Sequence, residues 1–474
     1  MELQYNFNKN NRLKAALLPM YLALYDQSFP EMRPRIDSFL HEITERLEKN
    51  GITLIKLPVC RIREEFEQAI NRAENEEAHA IITLHLAYSP SLESIDVLTG
   101  TKLPVIVMNT TPTYSFDSLQ DPDEIMYNHG IHGVQDMCNL LDRNKKHFVI
   151  ESGHIDHSDI IDRITAHMMS AKMASAMKNG RSGRIGDQFA GMGDFAVEPE
   201  LLETTLGTSV IQADLSDVAI FLPDENDPEI EAEIEEDNTL FNTDNLDPSI
   251  HRQSVMNGLA LRRWIEKEKL TAFSLNFSNI DRENSLSVMP FLEISKLMAR
   301  GIGYAGEGDL LTASLVGALF SVLKDVSFIE MFCPDWKNET VFLSHMGEMN
   351  LNLSAGRPNL ITMPWRFSDT NSPVIATGCF KQGDAVFVNL APCGNNSYSL
   401  FVAPVTMLPE ESGSRFTNNI RGWMKPAIPL TEFLEVFSRK GGTHHSALVY
   451  NAAPDIILEF GKMMGWRTHL ISKQ

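Results

Sequence analysis

The stretch that decides how this chain is organised runs from Gly301 to Glu348. It holds three short polar segments separated by strongly apolar ones: Gly303-Tyr304-Ala305-Gly306-Glu307-Gly308-Asp309, Ser327-Phe328-Ile329-Glu330 and Ser344-His345-Met346-Gly347-Glu348. Far downstream, His444 and His445 form an adjacent pair. Two carboxylates and two imidazoles drawn from these segments would suit a divalent cation. The stretch therefore predicts one site assembled from several elements.

Glu307 is predicted to lie in a glycine-flanked turn, directly before a helix over Leu310 to Leu323. A carboxylate there faces the positive end of the helix dipole, which favours its ionised form. An ordinary acidic residue at a helix start is the alternative, although such a residue does not need a glycine on each side. From spacing alone, a buried charge pair or unrelated surface acids would also account for the two glutamates, Glu307 and Glu330, and the two histidines, His345 and His445.

The fold class follows from how apolar runs alternate along the chain. In the first part, β-rich runs at 52–57, 80–86 and 105–108 alternate with helical patterns, which predicts a mostly parallel sheet. From Val326 onward, short β runs separated by turn signals fit an antiparallel sheet or small barrel. We therefore predict an α/β fold of three domains. Two Rossmann-like α/β domains with mostly parallel sheets, 1–178 and 179–325, precede a β-rich, barrel-like C-terminal domain, 326–474.

Two further segments have distinctive compositions. The segment 179–195 carries five glycines, which is typical of a loop that lines a cavity or of a domain linker. The segment from Asp224 to Asp247 is the most acidic part of the chain, and we interpret it as a solvated helix and loop on an exposed surface. No GxGxxG motif opens a helix and no GxxxxGK[ST] motif occurs, so no nucleotide site is predicted.

Charge and cysteine usage limit the partners. A formal net charge of -22 at pH 7 argues against nucleic acid and anionic membranes, because both require a basic surface. The five cysteines are scattered and form no CxxC pair, which is typical of a reducing cytosol. No run reaches the ~18 to 20 uncharged apolar residues of a membrane span. We expect a cytoplasmic protein whose partners are small molecules and other subunits.

The motifs, taken together, resemble those of the L-arabinose isomerase family. The four segments that carry Glu307, Glu330, His345 and His444-His445 match it in order and approximate spacing. Asn128-His129-Gly130-Ile131-His132-Gly133 is similar to the family's histidine-glycine turn, and Arg184-Ile185-Gly186-Asp187 to another of its segments. From residues alone, the two histidines of that turn would be explained by local hydrogen bonds.

The resemblance implies a manganese-dependent aldose-ketose isomerase that works through a cis-enediol(ate) and assembles as a homotrimer or homohexamer with sites at subunit interfaces. Co²⁺ or Mg²⁺ could replace Mn²⁺. The implied metal ligands are Glu307, Glu330, His345 and His445, and both glutamates are the implied catalytic residues. The residues expected to contact the sugar are His132, which could act in a neighbouring subunit, and His444, Phe277, Arg184, Met20 and Phe332.

Two departures from the family concern the sugar. The family's glycine-serine-glutamine-histidine stretch is replaced by Leu17-Leu18-Pro19-Met20-Tyr21, and its aspartate-tyrosine after the second glutamate by Met331-Phe332. A site loses discrimination for hydroxyls that it can no longer pair. We therefore hypothesise that the preferred sugar is shorter than L-arabinose, deoxygenated or branched. A non-catalytic sugar-binding relative, or an epimerase or aldolase using the same metal site, are the alternatives.

Overall fold

The computed structural model describes residues 12–244, 246–280, 283 and 286–473. The chain divides into two units, one that ends at Ser175 and one that continues from Ala176. None of the helices formed by the described residues combines the length and hydropathy needed to cross a membrane.

The N-terminal unit is built on a five-stranded parallel sheet of order β2-β1-β3-β4-β5. All six residues of its third strand, β3, are buried, as expected for a parallel strand covered on both faces. The strands are β1 (Leu13–Met20), β2 (Ile52–Lys56), β3 (Ala80–His85), β4 (Val105–Asn109) and β5 (Phe148–Ser152). The helices are α1 (Ala23–Ser28), α2 (Arg33–Lys49), α3 (Arg63–Asn75), α4 (Ile95–Gly100), α5 (Ile125–Asn128), α6 (Gly130–Arg143) and α7 (Ile160–Lys178).

A second parallel sheet, of order β7-β6-β8-β9, follows in the chain. Its strands are β6 (Arg181–Ile185), β7 (Ser209–Ala213), β8 (Ala272–Leu275) and β9 (Gly303–Gly306). Its helices are α8 (Pro199–Leu206), α9 (Leu215–Ala219), α10 (Pro228–Leu240), α11 (Pro248–Glu268), α12 (Phe291–Ala299) and α13 (Leu310–Phe320). Every residue of α13 is buried, because its sequence is apolar on all sides.

The C-terminal part forms an antiparallel barrel of six strands in the order β14-β17-β10-β11-β16-β15, closed by pairing of β14 with β15. The strands are β10 (Val326–Asp335), β11 (Thr340–Ser344), β12 (Asn359–Thr362), β13 (Val374–Thr377), β14 (Gly383–Cys393), β15 (Ser397–Leu408), β16 (Gly422–Pro426), β17 (His445–Tyr450) and β18 (Arg467–Leu470). The helices are α14 (Leu430–Arg439) and α15 (Pro454–Met463). Strand β18 joins β15 in parallel, and β12 pairs with β13 separately.

The predicted fold class is confirmed: parallel α/β sheets precede an antiparallel, barrel-forming C-terminal sheet. The helix predicted over residues 310–323 ends at Phe320. The division into three domains, with boundaries after residues 178 and 325, stays a prediction.

The interpretation of the acidic segment as fully solvated is wrong for two of its carboxylates. Glu233 and Asp237 on α10 are 9% and 0% exposed. Glu233 accepts hydrogen bonds from Arg262 at 2.5 Å and from Lys296 at 2.9 Å, and Lys296 also pairs with Asp237. Because these basic partners lie on α11 and α12, the local sequence gave no sign of them. The buried carboxylates connect three helices.

We expect Glu233→Gln to destabilise the fold by about 1–3 kcal/mol at pH 7, because Arg262 and Lys296 each lose one buried counter-charge, although Glu293 still pairs with Arg262 and Asp237 with Lys296. Burial disfavours the charged form of Glu233, but Arg262 and Lys296 outweigh it and lower its pKa to about 2. The stabilisation is therefore full above the ordinary carboxyl pKa and disappears as the pH falls towards 2.

The measurement is the apparent melting temperature of both proteins between pH 7 and pH 3. The control is Glu231→Gln on the same helix, since that side chain is 64% exposed and pairs only at the surface with Arg252. A Glu233→Gln protein that melts like the control at pH 7 would show that the buried ion pairs do not stabilise the fold.

Candidate active site

Glu307 occupies a strained turn between β9 and α13. Its φ is +58°, in the left-handed region that residues other than glycine rarely adopt. Gly308 follows with a φ of +82°, and a Cβ there would lie 2.7 Å from the Cα of Gln188. Asp309 then caps α13, where its Oδ1 accepts from the backbone N–H of Thr312 at 2.9 Å. Strain of this kind persists where the surroundings fix the backbone, which here holds the Glu307 carboxylate at a helix N-terminus.

The barrel register brings the other predicted residues to this turn. Glu330 on β10 lies directly opposite His445 on β17 and opposite Ser344 on β11. Directly opposed residues of antiparallel strands have Cβ atoms about 4.5–5.5 Å apart. His345, the residue after Ser344, therefore leaves the end of β11 close to Glu330. Antiparallel pairing thus joins residues that are more than a hundred positions apart in the sequence.

The four closest side chains are Glu307, Glu330, His444 and His445, whose ligand atoms all lie within 4.8 Å of one another. The Nε2 atom of His445 is 2.7 Å from Glu307 Oε2 and 2.9 Å from Glu330 Oε1. Three of the four predicted metal ligands are thus brought together. Such a group of carboxylates and imidazoles is able to hold a metal ion.

Two histidines compete for the remaining position beside Glu330. The Nε2 atom of His444 is 3.7 Å from Glu330 Oε1, and the Nε2 atom of His345 is 3.9 Å from the same oxygen. The side chain of His345 is 6% exposed, whereas that of His444 is 39% exposed. The predicted assignment of His345 as ligand and His444 as sugar contact stays a prediction, and burial favours it because the outer imidazole remains accessible.

Each of the three imidazoles is held through its other ring nitrogen. The Nδ1 atoms of His445, His345 and His444 lie 2.9, 2.6 and 2.7 Å from carboxylate oxygens of Asp309, Glu348 and Asp194 respectively. A carboxylate on Nδ1 fixes the ring orientation and makes Nε2 the free ligand atom. All three Nε2 atoms consequently face Glu330.

Within the part of the chain that the structure describes, the negative charge gathered at the site is paired only with histidines. Glu307, Asp309 and Glu348 are 9%, 0% and 1% exposed, and the described ion pairs of these three and of Glu330 are all with imidazoles. Burial opposes the charged form of Glu307, but the hydrogen bond from His445 and the charge of His345 outweigh it and lower its pKa.

The carboxylates of the site also raise the pKa values of two histidines. Burial disfavours the imidazolium of His345, but Glu348 and Glu330 outweigh it and raise its pKa to about 9. His445 is also buried, yet its bonds to Asp309, Glu307 and Glu330 raise its pKa well above the usual value. His345 and His445 therefore hold protons, and a divalent cation would compete with these protons for the ring nitrogens. The donor types, the held imidazoles and the excess negative charge fit such a cation.

The sequence did not single out Asp194 or Phe195, which cover this group. Asp194 Oδ2 accepts from the backbone N–H of His444 at 2.9 Å as well as bonding its ring. The ring of Phe195 stacks on His445 with centroids 4.5 Å apart and an interplanar angle of 11°. The only available signal was the glycine-rich segment 179–195, which ends with these two residues and for which a cavity lining was one of two interpretations.

Three other predicted sugar contacts, Phe277, Arg184 and Phe332, belong to the unit that continues from Ala176 and lie in three different environments. Phe277 lines a narrow cleft together with Glu307 and His345. Arg184 on β6 donates to Gln212 Oε1 at 2.9 Å and is not among the residues gathered around Glu330. Phe332 lies at the β-bulge of β10 and is 41% exposed. These roles stay predictions.

His132 and Met20 belong to the N-terminal unit. His132 lies in the first turn of α6, with its ring 5.3 Å from that of His129. His129 bonds Tyr25 and the backbone of Met126, as expected of a histidine that fixes a turn. Met20 is 0% exposed and packs in the hydrophobic core of the unit, so its side chain has no free surface for a sugar. Its predicted role therefore has no support from burial.

Comparison with known proteins decides the family. A model of the L-arabinose isomerase central domain matches residues 191–325, and one of the L-arabinose isomerase C-terminal domain matches residues 325–467. Together the two models span more than half of the chain. The chain belongs to the L-arabinose isomerase family. The resemblance inferred from the motifs is confirmed.

The similarity to curated family members extends along most of the chain but is low. An L-arabinose isomerase of Shouchella clausii is 23% identical over 445 residues, covering 91% of this chain and 90% of that protein. L-arabinose isomerase 1 of Clostridium acetobutylicum is 23% identical with the same coverage, and the enzyme of Geobacillus kaustophilus is 23% identical over 82% of this chain and 80% of its own length. This is a divergent member, and its relatives support a sugar isomerase of the aldose-ketose type.

We expect Asp309→Asn to weaken Mn²⁺ binding about 10- to 100-fold, because the residue that holds His445 loses its charge. Asparagine is also a good N-cap, so α13 should remain intact. The matched control is Asp247→Asn, since the Asp247 side chain caps α11 by accepting from the backbone N–H groups of Ser249 and Ile250, and its only described contact with a histidine is a backbone bond from His251. Calorimetric titration of metal-free protein measures both variants, and equal affinities would show that Asp309 does not tune the site.

Proposed function

We propose that this protein is a divalent-metal-dependent aldose-ketose isomerase that acts through a cis-enediol(ate) intermediate. The observation that carries the proposal is the convergence of Glu307, Glu330 and His445, with Nε2 to carboxylate distances of 2.7 and 2.9 Å. Moving a proton between C2 and C1 of an open-chain sugar requires a base, an acid and a means of stabilising the developing oxyanion. This group of side chains supplies the first two.

In the proposed reaction, one of the two glutamates removes the proton from C2 of the aldose and a carboxyl group returns a proton to C1, while the proton of the C2 hydroxyl passes to the C1 oxygen. Glu307 and Glu330 both contact the same imidazole nitrogen of His445, so both carboxylates border one small space. His444, which is partly exposed and held by Asp194 through Nδ1, is suited to accept a hydrogen bond from a substrate hydroxyl at Nε2. Phe195 shields His445 from solvent by stacking on it.

The residues proposed to hold the metal are Glu307, Glu330, His345 and His445. Mn²⁺ is the proposed ion, with Co²⁺ or Mg²⁺ as substitutes, because mixed oxygen and nitrogen donors suit these cations. When bound, the cation would act as a Lewis acid that stabilises negative charge on the sugar oxygens. Asp309 and Glu348 keep the two imidazoles in position for it.

We further propose that L-arabinose is not the preferred sugar. Leu17, Leu18 and Met20 are all at most 2% exposed, so the stretch that replaces the family's polar residues presents little side chain for hydrogen bonding. Met331 packs against the core of the barrel, and Phe332 offers only its ring. Assembly into a trimer or hexamer with His132 reaching a neighbouring site, and a cytoplasmic location, are proposed from the family resemblance.

The test is a screen of aldoses and ketoses with chelator-treated protein, before and after addition of Mn²⁺. We expect ketose to form from at least one aldose only when metal is present, and Glu307→Gln to lower kcat by about 10²- to 10⁴-fold because a proton-transfer group is lost. Glu411→Gln, a change of the same kind at an exposed position, serves as the control and should leave the rate unchanged.

Product analysis separates the alternatives. An isomerase yields a ketose, an epimerase an aldose diastereomer, and an aldolase two fragments. If the metal-loaded protein binds a sugar and converts none, the enzymatic proposal is wrong and a sugar-binding protein takes its place.

A further inference from the structure

A narrow apolar cleft opens directly beside the candidate catalytic group. Glu307, His345 and Glu348 line one side of it. The remaining lining consists of apolar residues, the Tyr304 ring and a glycine: Leu275, Phe277, Met289, Phe291, Tyr304, Gly306, Met346 and Trp365. The free volume is about 10 Å³, which is close to the space that one small group needs. The cleft therefore admits one small group, not a whole sugar.

The aromatic side of the cleft offers no hydrogen bond to a ligand. The only polar group of the Trp365 side chain is its indole N–H, which donates to Ser368 Oγ at 2.8 Å. The hydroxyl of Tyr304 is donated to Glu348 at 2.6 Å. A hydroxyl pressed against this side would lose its hydrogen bonds to water and gain none from the wall, whereas an apolar group would lose nothing.

The aromatic surface continues beyond the cleft. The ring of Phe277 contacts those of Trp365, Phe189 and Phe367 at centroid distances of 5.7, 5.2 and 6.4 Å. The rings of Trp365 and Phe367 lie 5.0 Å apart, and Phe367 is 56% exposed. We call these four residues the aromatic wall. Phe189 also connects the aromatic wall to the turn that carries Glu307, because its backbone N–H donates to the carbonyl of Glu307 at 2.9 Å.

The position of the cleft indicates which part of the substrate would enter it. In the proposed reaction, C1 and C2 of the sugar lie between Glu307 and Glu330, on the side of Glu307 that faces His445. The cleft borders the same Glu307 side chain, but it is lined by His345 and two residues of the aromatic wall, Phe277 and Trp365, in place of His444 and His445. A group that enters the cleft therefore belongs to the part of the sugar away from the reacting carbons.

We propose that the cleft selects an aldose whose far end is a methyl group instead of a hydroxymethyl group, that is, a terminally deoxygenated sugar. This inference rests on the proposed isomerase function and specifies the substrate class of the same site. Trp365 is the specificity-determining residue, since its ring lines the cleft beside Phe277 and Phe291 and its indole N–H is already donated to Ser368. The space of about 10 Å³ accommodates a methyl group more easily than a solvated hydroxymethyl group.

The experiment measures binding of matched sugar alcohols to Mn²⁺-loaded protein by calorimetry. Each pair has the same configuration and differs only at the far end: L-fucitol with galactitol, L-rhamnitol with L-mannitol, and 5-deoxy-L-arabinitol with L-arabinitol. Sugar alcohols do not cyclise, so ring formation does not bias the comparison. We expect the deoxygenated member of at least one pair to bind about tenfold tighter or more, because its partner buries an unpaired hydroxyl.

Trp365→Gln places an amide donor and acceptor at the cleft and should reduce that preference to about twofold or less. The control is Phe416→Gln, which introduces the same amide at an aromatic residue that is 45% exposed and packs on Phe342 and Trp423. The control should keep the full preference. A shift in preference between two ligands, unlike a loss of binding, is not explained by misfolding.

Turnover of the corresponding aldoses is followed in parallel, so that the two proposals fail separately. Ketose formation without a deoxy preference in any pair would overturn the cleft assignment and leave the isomerase intact. A deoxy preference that disappears in Trp365→Gln, without any ketose, would support the cleft and reject the isomerase. If no sugar alcohol binds, or if Trp365→Gln keeps the preference, the inference is wrong.

Discussion

The structure depends on the pairing of Glu330 with His445 across strands β10 and β17. This one register places a carboxylate of the barrel beside the strained turn of the parallel sheet, where His445 bonds Glu307 at 2.7 Å. A slip of one strand by one residue would turn its side chain to the opposite face of the sheet and separate the pair. The candidate site exists because barrel register and the β9 turn are fixed together. The charge that results is balanced within the described residues only by imidazoles, which is why a cation fits there.

The proposed catalytic residues and the residues around them come from different kinds of structural element. The proposed acid–base and ligand residues come from backbone-defined places: a left-handed turn, two paired strands and the end of a third. The residues around them come from loops: Asp194 and Phe195 after β6 contact His444 and His445, and Trp365 after β12 lines the adjoining cleft. Loops change more easily than a barrel register does. This division explains how a chain that is 23% identical to L-arabinose isomerases retains the ligand-forming motifs while its surroundings differ.

Sequence patterns predicted the fold class, and the family resemblance named all four residues that meet most closely, with His444 assigned to the sugar and the other three to the metal. Glu307 was recognisable by its flanking glycines, and Glu330 and His445 by their motifs at the ends of apolar runs. The equal approach of His345 and His444 to Glu330 was not predictable, since it depends on side-chain distances of 3.9 and 3.7 Å. Nor was the bond between Asp194 and His444, because 250 positions separate them. The buried carboxylates of helix α10 were unpredictable for the same reason. Their basic partners lie on other helices, so composition alone indicated a solvent-exposed helix.

The most direct test of the account is diffraction from crystals of the Mn²⁺-loaded protein, recorded at the manganese absorption edge. The account predicts one anomalous peak about 2.0–2.3 Å from carboxylate oxygens of Glu307 and Glu330 and from Nε2 of His345 and His445. His444 should remain bonded to Asp194, with its Nε2 free for the sugar. No peak between the two glutamates, or a peak bound by His444 with His345 outside the coordination sphere, would contradict it.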